Sequence, residues 1–323
     1  MSYTGPDFDA PPPRRSRRGP LTVAVAALVP GALLGWLVYA AVGGPDDGGA
    51  DGAGSGGASA RTSAPATRTP SRTFPTGIPD DGASGAAPDS PPASATAATG
   101  PLKGKVVVID PGHNPGNAAH TAEIGRTVDI GTHRKECDTT GTATDAGYAE
   151  AEFTLDVAHR LRALLRAQGA TVRLTQDGDR PWGPCVDERA RIGNEARADA
   201  AVSIHADGSA AGNRGFHVIL PGAVHAGAAD TRRIVGPSRA LGERVAGGFV
   251  RVTGSAPSNY TGDGTGLVTR KDLGGLNLST VPKVFIECGN MRDSKDAALL
   301  TSGAWRQKAA QGISEGIVSF LRG

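Results

Sequence analysis

The chain has 323 residues, with 34 Lys and Arg against 32 Asp and Glu and a net charge of +2. A balance this even gives no bulk attraction to nucleic acid, which is excluded as an expected partner. Gly (47) and Pro (23) are abundant while aromatic residues make up only 4%, so a sizeable part of the chain is too poor in apolar side chains to build a core.

Residues 1–20 are polar and Pro-rich, with a basic cluster at Arg14, Arg15, Arg17 and Arg18. Residues 21–42, from Leu21 to Val42, carry no charge. At about 1.5 Å per residue this run crosses a hydrocarbon core of about 30 Å. The arginines before it favour a cytoplasmic N-terminus, so the expectation is a basic cytoplasmic tail followed by a transmembrane helix or signal-anchor. A cleaved signal peptide stays open: its apolar core is ordinarily shorter, about 7–15 residues, but Tyr39-Ala40-Ala41 offers a small-residue cleavage site. Gly31 and Gly35 form a GxxxG pair, a weak dimerisation motif. Residues 43–101 consist mostly of Gly, Ala, Ser, Thr, Pro and Asp. They are expected to form a disordered linker that holds the rest of the chain away from the membrane.

From Leu102 to Gly323 the composition is globular, the size of one domain. Strand-like runs at 105–109, 171–175, 200–204, 215–220 and 283–287 alternate with helical patterns. That alternation predicts an α/β fold with a single, mostly parallel sheet flanked by helices. The run Lys105-Val-Val-Val-Ile-Asp-Pro-Gly-His113 reads as a buried strand stopped by Pro111 and Gly112, with His113 in the loop just past its end. Ala200-Ala-Val-Ser-Ile-His205 repeats the design, and Lys283-Val-Phe-Ile-Glu287 ends in a carboxylate instead of an imidazole. Open α/β sheets build their sites at that edge.

The helix after Tyr148 buries Phe153, Val157, Leu161, Leu164 and Leu165 at three- and four-residue spacing. At about 100° per residue Glu150 falls at the centre of this stripe, while Glu152 lies opposite with Asp156, His159 and Ala163. A carboxylate aimed at the core needs a partner. A cation is the natural one, and capping of its own helix N-terminus is the alternative. Three further helices are expected near Val186–Arg197, Ser238–Thr253 and Ala304–Arg322. Asp187 is a candidate cap for the first of them, and its Glu188/Arg189/Arg191 run reads as a solvated face with one buried arginine. Long loops at Asn114–Gly147, Asp207–Arg214 and Pro257–Asn277 flank the same rim and suggest a shallow substrate groove.

His113, Glu150 and His205 together are the ligand set of a catalytic zinc with one open position. No HExxH helix is present, so the case rests on all three reaching one rim. Glu287 is the remaining carboxylate with a matching position and is expected to act as general base and then general acid. Pairing with Arg270 or Arg292 is its structural alternative.

These residues carry a resemblance. VVIDPGH ending at His113, then Glu150 ahead of a helix, then SIHAD ending at Asp207, then FIE ending at Glu287 and followed by CGN, resemble the zinc-dependent N-acetylmuramoyl-L-alanine amidases of the amidase-3 family. GPCVDERA, RGFHV, YTGDGTGL and LGGLNL look like the compact cell-wall amidases of actinobacteria. The resemblance covers about Lys103–Arg322. It implies a mixed six-stranded sheet flanked by helices, zinc on His113, Glu150 and His205, and catalysis by Glu287. It also implies cleavage of peptidoglycan between N-acetylmuramic acid and L-Ala of the stem peptide. Cys288 departs from the family, which usually has Leu or another apolar residue there, and bears on packing only. Neither a site-plugging helix nor a wall-binding module is expected, the membrane anchor standing in for the latter. The other functions to separate are a different cell-surface zinc hydrolase, such as a carboxypeptidase or deacetylase, and a non-catalytic wall-binding domain.

With the domain outside the cytoplasm, disulfides persist. Cys137 and Cys185 both fall in loops, whereas Cys288 follows Glu287 on a buried strand. A Cys137–Cys185 bond is therefore expected, with Cys288 a packed thiol. The catalytic domain is expected to be monomeric.

Overall fold

The computed structural model describes residues 100–323. The basic tail, the apolar run at 21–42 and nearly all of the linker lie outside the described residues. Among the described residues no helix is long and apolar enough to cross a membrane.

Six strands form the central sheet: β1 (Val106–Pro111), β2 (Thr171–Leu174), β3 (Ala200–Asp207), β4 (His217–Pro221), β5 (Leu267–Arg270) and β6 (Lys283–Asn290). Their spatial order is β2-β1-β3-β6-β4-β5. Only the β6–β4 pair is antiparallel, so the sheet is mixed and mostly parallel. The four longer helices are α1 (Glu150–Ala167), α2 (Val186–Glu195), α3 (Val235–Thr253) and α4 (Gly303–Arg322). Strands covered on both faces read as continuous apolar runs rather than alternating ones, and every residue of β4 and all but the first of β1 are buried. The main core joins Val107 and Ile109 of β1 and Val202 and Ile204 of β3 to Phe153, Val157 and Leu161 of α1 and Ile313 and Ile317 of α4.

Several expectations shift. His205 was expected just past its strand; β3 instead continues to Asp207, so His205 lies within it. Glu287 likewise is not at a strand end: β6 runs on to Asn290, with a register shift between Glu287 and Asn290. Two of the long loops contain structure of their own. A small hairpin pairs Thr127–Asp129 with Arg134–Glu136 inside Asn114–Gly147, and β5 together with a one-turn helix at Gly274–Asn277 lies inside Pro257–Asn277. All three strands are only three or four residues long, too short for a period-2 pattern to stand out. Asp187 does not cap α2: Cys185 holds the N-cap position without a side-chain cap, and Asp187 Oδ1 is buried without a partner.

Candidate active site

Beyond β1, His113 takes a left-handed backbone conformation at φ 60°, which is unfavourable for a residue with a Cβ. Its carbonyl is held there by Arg189 Nη2 at 2.9 Å and Gln176 Nε2 at 3.1 Å. Gly112 has to be glycine, because a Cβ there would lie 2.2 Å from Cε1 of His205. The His205 ring stacks on Phe285, with centroids 5.0 Å apart and planes 9° from parallel. In the β3–β6 ladder Glu287 is the direct partner of His205, which places the carboxylate beside the imidazole without any long-range coincidence.

Glu150 opens α1 and is buried, while Glu152, two residues on, is exposed. The Glu150 carboxylate does not cap its own helix. It accepts from the backbone amides of Thr142 (3.0 Å) and Ala206 (3.1 Å). Its Oε2 lies 3.2 Å from His113 Nε2, and its Oε1 lies 3.0 Å from His205 Nδ1. One donor atom from each of the three residues falls within 4.8 Å of the others. Burial would lower the His113 pKa, but the carboxylates of Glu150 and Asp138 override it and raise it to about 10. Burial would raise Glu150, yet His113 and His205 hold it well below the usual carboxylate range. A buried carboxylate set between two imidazoles favours a positive charge at their centre. Two imidazoles and a carboxylate of this kind fit a divalent zinc.

The trio opens into a cleft of about 290 Å³, lined also by Asp207, Arg270 and Glu287. Glu287 is half-buried, and its Oε2 is buried without a hydrogen-bond partner. Burial, and then the Glu150 and Asp207 carboxylates, push its pKa well above the usual range. Neither arginine considered as a structural partner pairs with it: Arg270 forks onto Asp272 and Arg292 meets Asp145. A carboxylate with one buried oxygen that lacks a hydrogen-bond partner is suited to take up and release a proton.

The family model for N-acetylmuramoyl-L-alanine amidase, amidase-3, matches residues 107–319. The chain belongs to the amidase-3 family. An N-acetylmuramoyl-L-alanine amidase of Mycobacterium tuberculosis is 42% identical over 230 residues, 71% of this chain and 91% of its own. The crystal structure of an N-acetylmuramyl-L-alanine amidase from Mycobacterium smegmatis superposes with a TM-score of 0.62 at 42% identity, covering 68% of this chain and 98% of that one. A Mycobacterium abscessus counterpart gives 0.62 at 40%, with 68% and 100% covered.

In this amidase-3 domain a buried ionic cluster lies beneath the cleft, and sequence reasoning found only part of it. Asp110 accepts from Arg189 Nη1 (2.8 Å), Lys283 Nζ (2.9 Å), Thr175 Oγ1 (2.7 Å) and Ser203 Oγ (2.9 Å). Arg189, the buried arginine of its charged run, also donates to Asp138 at 2.8 Å and to the carbonyls of Pro111 and Pro184. Asp110 and Lys283 stand inside or beside apolar strand runs, and charges so placed signal buried partners.

Cys137 and Cys185 are joined by a disulfide and Cys288 is a free, buried thiol that burial pushes up, away from reactivity. The bond ties the strand preceding Asp138 and Thr139 to the start of α2, reinforced by Val186 N donating to Cys137 O at 2.7 Å. Mass spectrometry of a non-reduced digest should give a linked Cys137–Cys185 peptide pair and an alkylatable Cys288. Cys137→Ser should cost about 2–4 kcal/mol. Free thiols at both positions, or a bond to Cys288, would contradict this.

Proposed function

We propose that this chain hydrolyses the amide bond between the lactyl group of N-acetylmuramic acid and L-Ala of the peptidoglycan stem peptide, using zinc held by His113, Glu150 and His205. It is an amidase by family. The observation that supports the zinc reading is the convergence of two imidazole nitrogens on both oxygens of one buried carboxylate. When bound there, zinc supplies a Lewis acid for the scissile carbonyl and makes water nucleophilic near neutral pH. The chain's own residues do the rest. Phe285 and Gly112 fix the plane of His205. Glu287 accepts the proton released by the attacking water and passes it to the stem-peptide nitrogen as the C–N bond breaks.

The localisation we propose is a single-pass anchor at residues 21–42 with the catalytic domain on the cell-wall side, tethered by residues 43–101 and acting as a monomer. Secretion after signal cleavage is the alternative. The uncharged run behind an arginine cluster and a disulfide in the folded domain support an extracytoplasmic site.

The test is product analysis on muramyl dipeptide and on purified sacculi with the full chain. An amidase separates intact peptide from glycan. Free acetate would indicate a deacetylase, and a single released C-terminal residue a carboxypeptidase. The chain should carry about one zinc. Glu150→Gln should lose zinc and activity together, whereas Glu152→Gln should keep both, since Glu152 is solvent-facing. Equal zinc content in the two variants would remove Glu150 from the ligand set.

A further inference from the structure

Both ligand histidines reach the same buried charge cluster through their second nitrogens. His113 Nδ1 lies 3.0 Å from the carbonyl of Thr139 and 3.4 Å from Asp138 Oδ1. The carbonyl and carboxylate only accept, and the Thr139 hydroxyl at 3.3 Å can accept as well, so Nδ1 carries a proton and Nε2, facing Glu150 Oε2 at 3.2 Å, is the nitrogen a metal would take. His205 faces the other way: Nδ1 points at Glu150, and Nε2 lies 3.2 Å from Ser203 Oγ.

What Ser203 can offer His205 is decided one step further back. Ser203 is buried, and its Oγ is 2.9 Å from Asp110 Oδ2 and 3.4 Å from the Asp110 carbonyl, both acceptors. Asp110 is itself fully buried and ringed by Arg189, Lys283 and Thr175, which keeps it a carboxylate. A hydroxyl has one proton, and Asp110 takes it. The remaining Oγ lone pairs can only accept, so His205 Nε2 must carry an N–H, and Nδ1, facing Glu150 at 3.0 Å, is the nitrogen left to exchange its proton for a metal.

We propose that Ser203 and Asp110 are positioning residues that set the tautomer of His205, so that it binds the metal through Nδ1 while His113 binds through Nε2. The inference rests on the zinc reading above. It adds that a strand hydroxyl and a buried carboxylate, neither of them among the three ligands, select the ligand atom. Ligand histidines usually donate their second N–H to such a partner, and loss of that partner typically weakens metal binding by about 10–100-fold. The opposite orientation of the two rings follows from their origins. His113 hangs from the loop beyond β1, under the Asp138–Thr139 segment, while His205 stands on β3, two residues from Ser203 on the same face of the strand.

The test uses the full chain with zinc as the probe, read by competition against a chromophoric chelator. Ser203→Ala should bind zinc about 10–100-fold more weakly than the parent, with Asp110 still held by Arg189, Lys283 and Thr175. Ser203→Thr, which restores the hydroxyl, should recover most of the loss. Nitrogen-15 NMR of the zinc-loaded parent protein should show His205 protonated at Nε2 and bound through Nδ1, a readout that a purely structural role for Ser203 does not predict and that needs no mutant to fold. A His205 bound through Nε2 would overturn the proposal, as would a folded Ser203→Ala with zinc affinity within twofold of the parent. If the parent itself bound no zinc, the failure would lie in the zinc reading and would show there first.

Discussion

Glu287→Gln is expected to keep zinc at the parent level and to lower turnover of a muramoyl-peptide by at least about 10²-fold, the low end for losing a general acid–base group. The reasoning is geometric. Glu287 lines the cleft and is the ladder partner of His205, yet it stands outside the His113–Glu150–His205 group proposed to hold the metal. An amide nearly matches the carboxylate in size, so β6 and its register shift should be undisturbed. What is lost is the ability to take a proton from water and return it to nitrogen. Metal analysis and steady-state kinetics on one preparation make the check. Turnover within tenfold of the parent, or loss of zinc alongside activity, would remove Glu287 from the role assigned to it.

Arg189→Ala is expected to cost about 3–5 kcal/mol of stability, the usual result of taking one partner from a buried ion pair. Arg189 is 4% exposed and sits between Asp110 and Asp138 while also holding backbone carbonyls on both sides of Gly112. Removing it leaves two buried carboxylates facing each other, with Lys283 the cation remaining on Asp110. Arg189→Lys should not rescue, because a point charge cannot span both carboxylates and three carbonyls. Denaturant unfolding measures the loss, and a change under about 1 kcal/mol would show that the cluster is dispensable. The same cluster sets an acid limit. Burial opposes ionisation of Asp138, but Arg189, His113 and Asn117 outweigh it and hold the carboxyl at about 2. Asp110 is held lower still, by Lys283 and Arg189. A carboxyl depressed on folding contributes stability above its unfolded value of about 4, and that contribution falls away as the pH drops from there toward the folded value. Stability should therefore decline steeply between about pH 4 and 2, and the decline should be shallower in Asp138→Asn.

How much of this was legible beforehand depends on the length scale of the signal. The apolar run before Asp110, its echo at 200–204 and the helical stripe of Phe153, Val157 and Leu161 are local patterns, because the periodicities of strand and helix are properties of the backbone. They were enough to place His113, Glu150, His205 and Glu287 near one sheet edge, and to set Glu150 apart from Glu152 two residues away. The strand ends were misjudged at His205 and Glu287 because β3 and β6 pair with each other beyond their apolar runs, and pairing leaves no mark in either segment alone.

The sequence by itself determined the α/β class, the face of α1 that carries Glu150, and the residue types of the proposed metal site. The tertiary structure alone decided which atoms meet: that Asp110 neutralises Arg189 and Lys283, that Asp138 and Thr139 back His113, and that Ser203 backs His205. Those partners lie between 2 and 173 positions apart in the chain. Hydrogen bonds and ion pairs depend on distances of a few ångströms and on direction, and these are set only once the strands have found their neighbours and their register.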